Sequence, residues 1–152
     1  DRTSVARLYE DPALDSRLAG GDRVIVQADD RYFLSLGAAG SEARHMFPTD
    51  TVTALDAISI SGGVLDNRAD PQGLLILREY PAAAVRQDGR GPTHRRVVFT
   101  LDLTSADGLF SASNFLIAPG DLVYATESPV TAAQSILGLL GNALGVAGRI
   151  PN

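Results

Sequence analysis

Residues 129 to 148 contain no charged side chain, and this stretch limits what the chain can fold into more than any other. As a helix rising about 1.5 Å per residue it would be about 30 Å long, the thickness of a bilayer's hydrocarbon core. At about 100° per residue, Thr131, Gln134, Ser135, Gly138, Gly141, Asn142 and Gly145 fall within one arc of roughly 120°. Every other position from Val130 to Ala147 is Ala, Val, Ile or Leu. The polar arc is uncharged, unlike the cationic face of a helix lying flat on a membrane. Its glycines permit close helix approach and weaken a helix in water, so the stretch needs a supporting environment. A single span surrounded by lipid has no use for a polar arc, whereas a ring of such helices around a watery lumen has. The expectation is an amphipathic membrane helix. Val130, Ile136, Leu137, Leu140 and Leu144 would face lipid, and Thr131, Gln134, Ser135 and Asn142 the lumen. The competing reading docks the helix on the sheet of its own domain.

Upstream the signals are short. Ser4 to Tyr9 reads as a brief helix closed by Asp11-Pro12, and Gly20-Gly21-Asp22 opens an apolar strand, Val24-Ile25-Val26. Tyr32 to Leu36 reads as a strand ending at Gly37, and Pro48 is tolerable only at a strand edge or end. Thr51 to Gly63 is the clearest soluble helix. Ala54, Leu55 and Ile58 share a face, Thr51 or Thr53 caps the start, and Gly62-Gly63 supplies a left-handed stop. Leu74 to Leu77 is a buried apolar strand. Arg96 to Leu103 alternates, with Val97, Phe99, Leu101 and Leu103 inward. Leu122-Val123-Tyr124 follows the turn Pro119-Gly120-Asp121. Short strands with one helix across them predict an α+β fold. The turn-then-strand signal at Gly21-Asp22 returns at Gly120-Asp121, which suggests that residues up to 27 finish one module before the next begins.

Composition removes most chemistry. A net charge of −5 leaves no basic excess for nucleic acid, and Arg86 to Arg96, set among Gly and Pro, reads as a solvated loop. Without Cys there is no thiolate nucleophile or Cys-ligated metal. His45 and His94 have no partner at ligand spacing, and no cofactor or metal site is expected. No Ser lies in a nucleophile elbow, and Gly89-Arg90-Gly91 is followed by Pro92 rather than a helix. Asp66 to Asp70 has calcium-like spacing, but Arg68 stands where a ligand is required, so it reads as a turn. Phe99 and Phe110 are expected in the core, and Tyr32 and Tyr80 at its edge. The chain opens on Asp1 rather than Met, as expected of a piece of a longer protein.

Taken in order, Tyr32 to Gly37, Leu55 to Ile58 with the Gly62-Gly63 stop, Asp70 with Leu74 to Arg78, and Phe115 to Tyr124 resemble the soluble-ligand-binding β-grasp domain of bacterial capsule and exopolysaccharide export proteins. The resemblance covers roughly residues 20 to 127, and the terminal stretch matches in position and character. It departs from the family pattern at Gly37 to Arg44, where the usual Pro-Gly turn is missing.

The resemblance implies a β-grasp domain with a mixed sheet and one crossing helix over 28–127, after the end of a preceding module or linker (1–27). The amphipathic membrane helix (128–148) and a tail (149–152) would follow. It implies a non-catalytic subunit of an outer-membrane channel in a Gram-negative bacterium, assembled as a homo-oligomeric ring, an octamer in the best-known relatives. Its partners would be the polysaccharide in transit, the outer membrane and the inner-membrane co-polymerase machinery, with no nucleic acid. Two other readings stand beside it. One is a soluble periplasmic carbohydrate-binding module with the helix packed intramolecularly; the other is a carbohydrate-active enzyme using Asp102 or Asp107.

Overall fold

The computed structural model describes residues 3–63, 73–86, 88, 90–126, 134–136 and 138. Its sheet has five strands: β1 (Tyr32–Gly37), β2 (Ala43–Met46), β3 (Gly73–Glu79), β4 (Arg96–Asp102) and β5 (Leu122–Thr126), in the order β2-β1-β5-β3-β4. The hairpins β1–β2 and β3–β4 are antiparallel. Strand β5 enters between them, parallel to β1 and antiparallel to β3. A mixed sheet of this order, with helices over one face, is a β-grasp arrangement and α+β as expected.

Helices α1 (Val5–Glu10), α2 (Ala54–Ile60) and α3 (Ala106–Asn114) accompany it among the described residues. Helix α2 starts on a capping box. The Asp56 backbone N–H donates to the Thr53 hydroxyl at 3.1 Å, and the Thr53 N–H donates to the Asp56 carboxylate at 3.0 Å. It stops where Gly62 and Gly63 take φ of 90° and 78°, as the glycine pair predicts. Its inward face is Ala54, Ala57 and Ile58. Leu55 points outward instead, so the inward stripe advances by three and one residues rather than through adjacent positions. Helix α3 was not legible in the sequence, because only Ala112 of its nine residues is buried and no apolar period betrays it. Ser105 caps it through the Gly108 N–H. Phe110, expected in the core, lies on its outer side and is 69% exposed.

The core joins Phe33, Leu74, Ile76, Leu101 and Val123 of the sheet to Ala54, Ala57, Ile58 and Ala112 of the helices. Phe99 packs against it edge-to-face with Phe115, ring centres 5.0 Å apart. The helix near the N-terminus forms as expected, with Ser4 as its cap, and all six of its residues are exposed.

The strand expected at Val24 to Val26 does not form. These residues are 67%, 65% and 81% exposed and belong to no strand. The turn before them is nevertheless the twin of the turn before β5. The Ala19 N–H donates to Asp22 Oδ2 at 2.7 Å and the Asp22 N–H to the Ala19 carbonyl at 3.1 Å. The corresponding distances between Ala118 and Asp121 are 2.8 and 3.1 Å. Gly21 and Gly120 hold φ of 101° and 86°, the left-handed backbone this turn needs.

Candidate functional site

The most constrained polar cluster is built around Arg78, near the end of β3. Its Nε lies 3.0 and 3.1 Å from the two carboxylate oxygens of Asp121, its Nη2 2.7 Å from Oδ2, and Nη2 also donates to the Leu116 carbonyl at 2.8 Å. The rings of Phe115, Phe99 and Tyr80 surround the guanidinium at 5.2, 5.4 and 6.0 Å. Asp121 is 1% exposed and is held additionally by the Ala118 N–H. Hydrogen bonding to Asp121, above all, raises the Arg78 pKa further beyond its ordinary value, so Arg78 stays charged. Beside it a cavity of about 420 Å³ is lined by Arg78, Glu79, Tyr80, Pro81, Pro119 and Asp121, among others. Every charge at the cluster is met by a fixed partner, so what it does is join β3 to the turn that launches β5.

The residues weighed for catalysis do not converge. His45 stacks on Phe33 and its Nε2 lies 2.8 Å from Ser35 Oγ, a spacing that superficially suits a base and a nucleophile. Ser35 is buried, however, and its hydroxyl donates to the Ser41 carbonyl while accepting from the Ala43 N–H at 3.3 Å. The hydroxyl thus fastens the β1–β2 connection. The His94 ring lies 2.9 Å from the Thr93 hydroxyl, on an exposed loop. Asp102 accepts from the Thr104 hydroxyl at 2.6 Å and from its N–H at 2.8 Å. The Thr104 hydroxyl first, and then its N–H, hold the Asp102 carboxyl below the usual carboxylate range. Asp107 is exposed in the first turn of α3. Among the described residues no three His, Cys, Asp or Glu side chains gather as a metal site. Asp66 to Asp70 lies outside the described residues.

A different surface stands out on the sheet face opposite α2 and α3. Register places Tyr32, Leu34 and Leu36 of β1 there with Leu122 and Tyr124 of β5, Leu75 and Leu77 of β3, and Val98 of β4. Arg44 and Met46 close one side, the Arg44 guanidinium 3.7 Å from the centre of the Tyr32 ring. Alternation in Tyr32 to Leu36 hinted at this face: its apolar side, Tyr32, Leu34 and Leu36, is the one turned away from the helices, while Phe33 and Ser35 point inward.

Of the predicted membrane-helix residues, Gln134, Ser135 and Ile136 are described. Positions 134–136 and 138 are helical, with Gln134 and Ser135 exposed and Ile136 half-buried. Val130, Thr131, Leu137, Leu140, Asn142 and Leu144 lie outside the described residues. No helix among the described residues is long and apolar enough to cross a membrane.

No family model matches the chain. Curated relatives do match it. It is 27% identical to the Vi polysaccharide export protein VexA/TviF of Salmonella typhi, across 82% of this chain and 34% of that protein. It is 29% identical to the capsule polysaccharide export protein BexD of Haemophilus influenzae, across 88% of this chain and 36% of that protein. It is 28% identical to the capsule polysaccharide export outer membrane protein CtrA of Neisseria meningitidis, across 86% of this chain and 36% of that protein. The fold is a β-grasp arrangement, and over most of its length the chain is similar to polysaccharide export proteins. Two of these relatives are named as capsule polysaccharide export proteins and one as a Vi polysaccharide export protein, and the chain spans about a third of their length.

Proposed function

We propose that the chain is part of a non-catalytic subunit of an outer-membrane channel for capsular or extracellular polysaccharide, working in the outer membrane and periplasm. What carries the reading is the match of most of the chain to three capsule exporters, joined to a β-grasp sheet of unbroken order. Satisfied polar clusters at Arg78 and Ser35 agree with it, since each fastens backbone instead of presenting a reactive group.

In this reading residues 1–27 end a preceding module, 28–127 are the β-grasp domain and 128–148 the membrane helix. The twin turns at Asp22 and Asp121 support the first boundary: the second launches a central strand, and the first is followed by exposed Val24 to Val26, which form no strand. Val130, Ile136, Leu137, Leu140 and Leu144 meet lipid, and Thr131, Gln134, Ser135 and Asn142 line the lumen of a homo-oligomeric ring. Inner-membrane polymerisation and export machinery delivers the polysaccharide to it. The test is the mass of the full-length protein in detergent together with capsule display in a strain lacking its own copy. A monomer that restores capsule would exclude the ring. A ring that leaves the polysaccharide in the periplasm would exclude the channel.

A further inference from the structure

We propose that residues 129–148 have a second resting place, the outer face of the sheet, and occupy it with their apolar side whenever no membrane receives them. The proposal rests on reading this stretch as an amphipathic helix able to enter a membrane. Three observations carry it. Leu75 is 0% exposed although it points away from the face that α2 and α3 cover, and its neighbours Leu77, Leu122 and Val98 are half-buried on the same side. Ile136, from the apolar side of the stretch, is half-buried, whereas Gln134 and Ser135 from its polar arc are exposed. Strand β5 ends at Thr126 in the middle of the sheet, only three residues before the stretch, so the stretch can reach this face.

The dimensions match. Five strands spaced about 4.8 Å apart give a surface roughly 20 Å wide, and its longest strands, β3 and β4, run about 23 Å. A helix of about 30 Å lies across it on the diagonal. Chemistry matches too, because the sheet face offers branched and aromatic side chains and the helix's apolar side brings nothing that must stay in water, while its polar arc faces solvent. The side chains that would meet lipid are those that would meet the sheet, so the two placements exclude each other. Lipid and sheet compete for one apolar surface.

The chain has no Cys, so single cysteines can report on the face. Leu77→Cys and Leu36→Cys sit on the outer face, and Ile60→Cys on the helical side is the control. In detergent-free buffer, Leu77→Cys should react with a soluble maleimide at least about tenfold more slowly than the same variant also carrying Leu140→Gln and Leu144→Gln, a protection equal to about 1.4 kcal/mol. Ile60→Cys should react alike in both backgrounds. Leu36→Cys, nearer the rim, repeats the comparison if Leu77→Cys lowers the melting temperature. Phosphatidylcholine vesicles should raise the slow rate to the fast one. Equal rates in the two backgrounds without lipid would overturn docking. So would protection that vanishes on dilution, since a second copy would then be the cover. Protection that persists in vesicles would leave docking standing and remove the membrane reading instead.

Discussion

The Asp121 carboxylate and the Arg78 guanidinium meet through three contacts of 2.7 to 3.1 Å, tying the third strand of the sheet to the turn that starts the fifth. One partner is 1% and the other 16% exposed at the side chain, so the Asp121 charge cannot return to water, and Arg78 only in part, if its mate is lost.

Asp121→Ala should therefore destabilise the domain by about 3–5 kcal/mol, the range for stranding one member of a buried pair. Replacing both, Arg78→Met with Asp121→Ala, should cost less than the sum of the single changes. Urea unfolding of the four proteins measures this. Additive losses would mean the two side chains act independently.

Capping of α2 makes a pH-dependent prediction. The Thr53 N–H, first, and then its hydroxyl hold the Asp56 carboxyl below the usual carboxylate range. A depressed carboxylate adds stability above its unfolded pKa, and that stability is lost as pH falls through the folded pKa. Thr53→Ala should cost about 0.5–2 kcal/mol at pH 7, with the gap from the parent protein narrowing as pH drops below about 4. Thermal melts across that window test it, and a gap that widens in acid would contradict it.

The two sides of α2 should answer differently. Ile58→Ala should cost about 2–5 kcal/mol, because the side chain fills the core against the sheet. Leu55→Ala should cost less than about 1 kcal/mol, since Leu55 faces outward. Equal costs in denaturant titration would return Leu55 to the interior.

Within the export reading, His45→Ala and Asp102→Ala proteins that fold and assemble should display capsule at the parent level, as judged by surface staining. Loss of display with assembly intact would restore a chemical role to one of them.

Leu140→Arg should block membrane insertion of the full-length protein, because a charge at a helix centre costs about 2.5–3.5 kcal/mol on insertion scales. In the channel reading, Asn142→Arg should insert better, since water in the lumen would solvate it. Carbonate extraction of membranes separates the two, and identical behaviour would remove the distinction between lipid and lumen faces.

Much of this fold is written in local patterns. Leu74 to Leu77, Arg96 to Leu103, the Gly62-Gly63 stop and the turn at Asp121 each carry a signal that needs no distant partner to be read. What escaped depended on partners far along the chain. Val24 to Val26 has strand composition, but a strand exists only when another lies beside it, and none does among the described residues. Ala43 to Met46 has little apolar pattern, yet forms β2 because β1 offers it an edge. Phe110 carries a ring that suits a core, but its position on α3 turns it to solvent. At the candidate site, Arg78 looked like the polar end of a strand, and only the fold brings Asp121 to it across 43 residues.

The strand at the heart of this sheet is also the last to be made. Until residue 126 is available, the chain can hold two separate hairpins with an open slot between them, each exposing unpaired edges. Closure comes in one late event that recruits contacts from both halves at once, so folding should be slow for the domain's size and close to all-or-none. A chain interrupted before β5 would be an aggregation hazard rather than a smaller domain. The domain's order of assembly thus gives its C-terminal end the deciding vote over whether anything upstream stays folded.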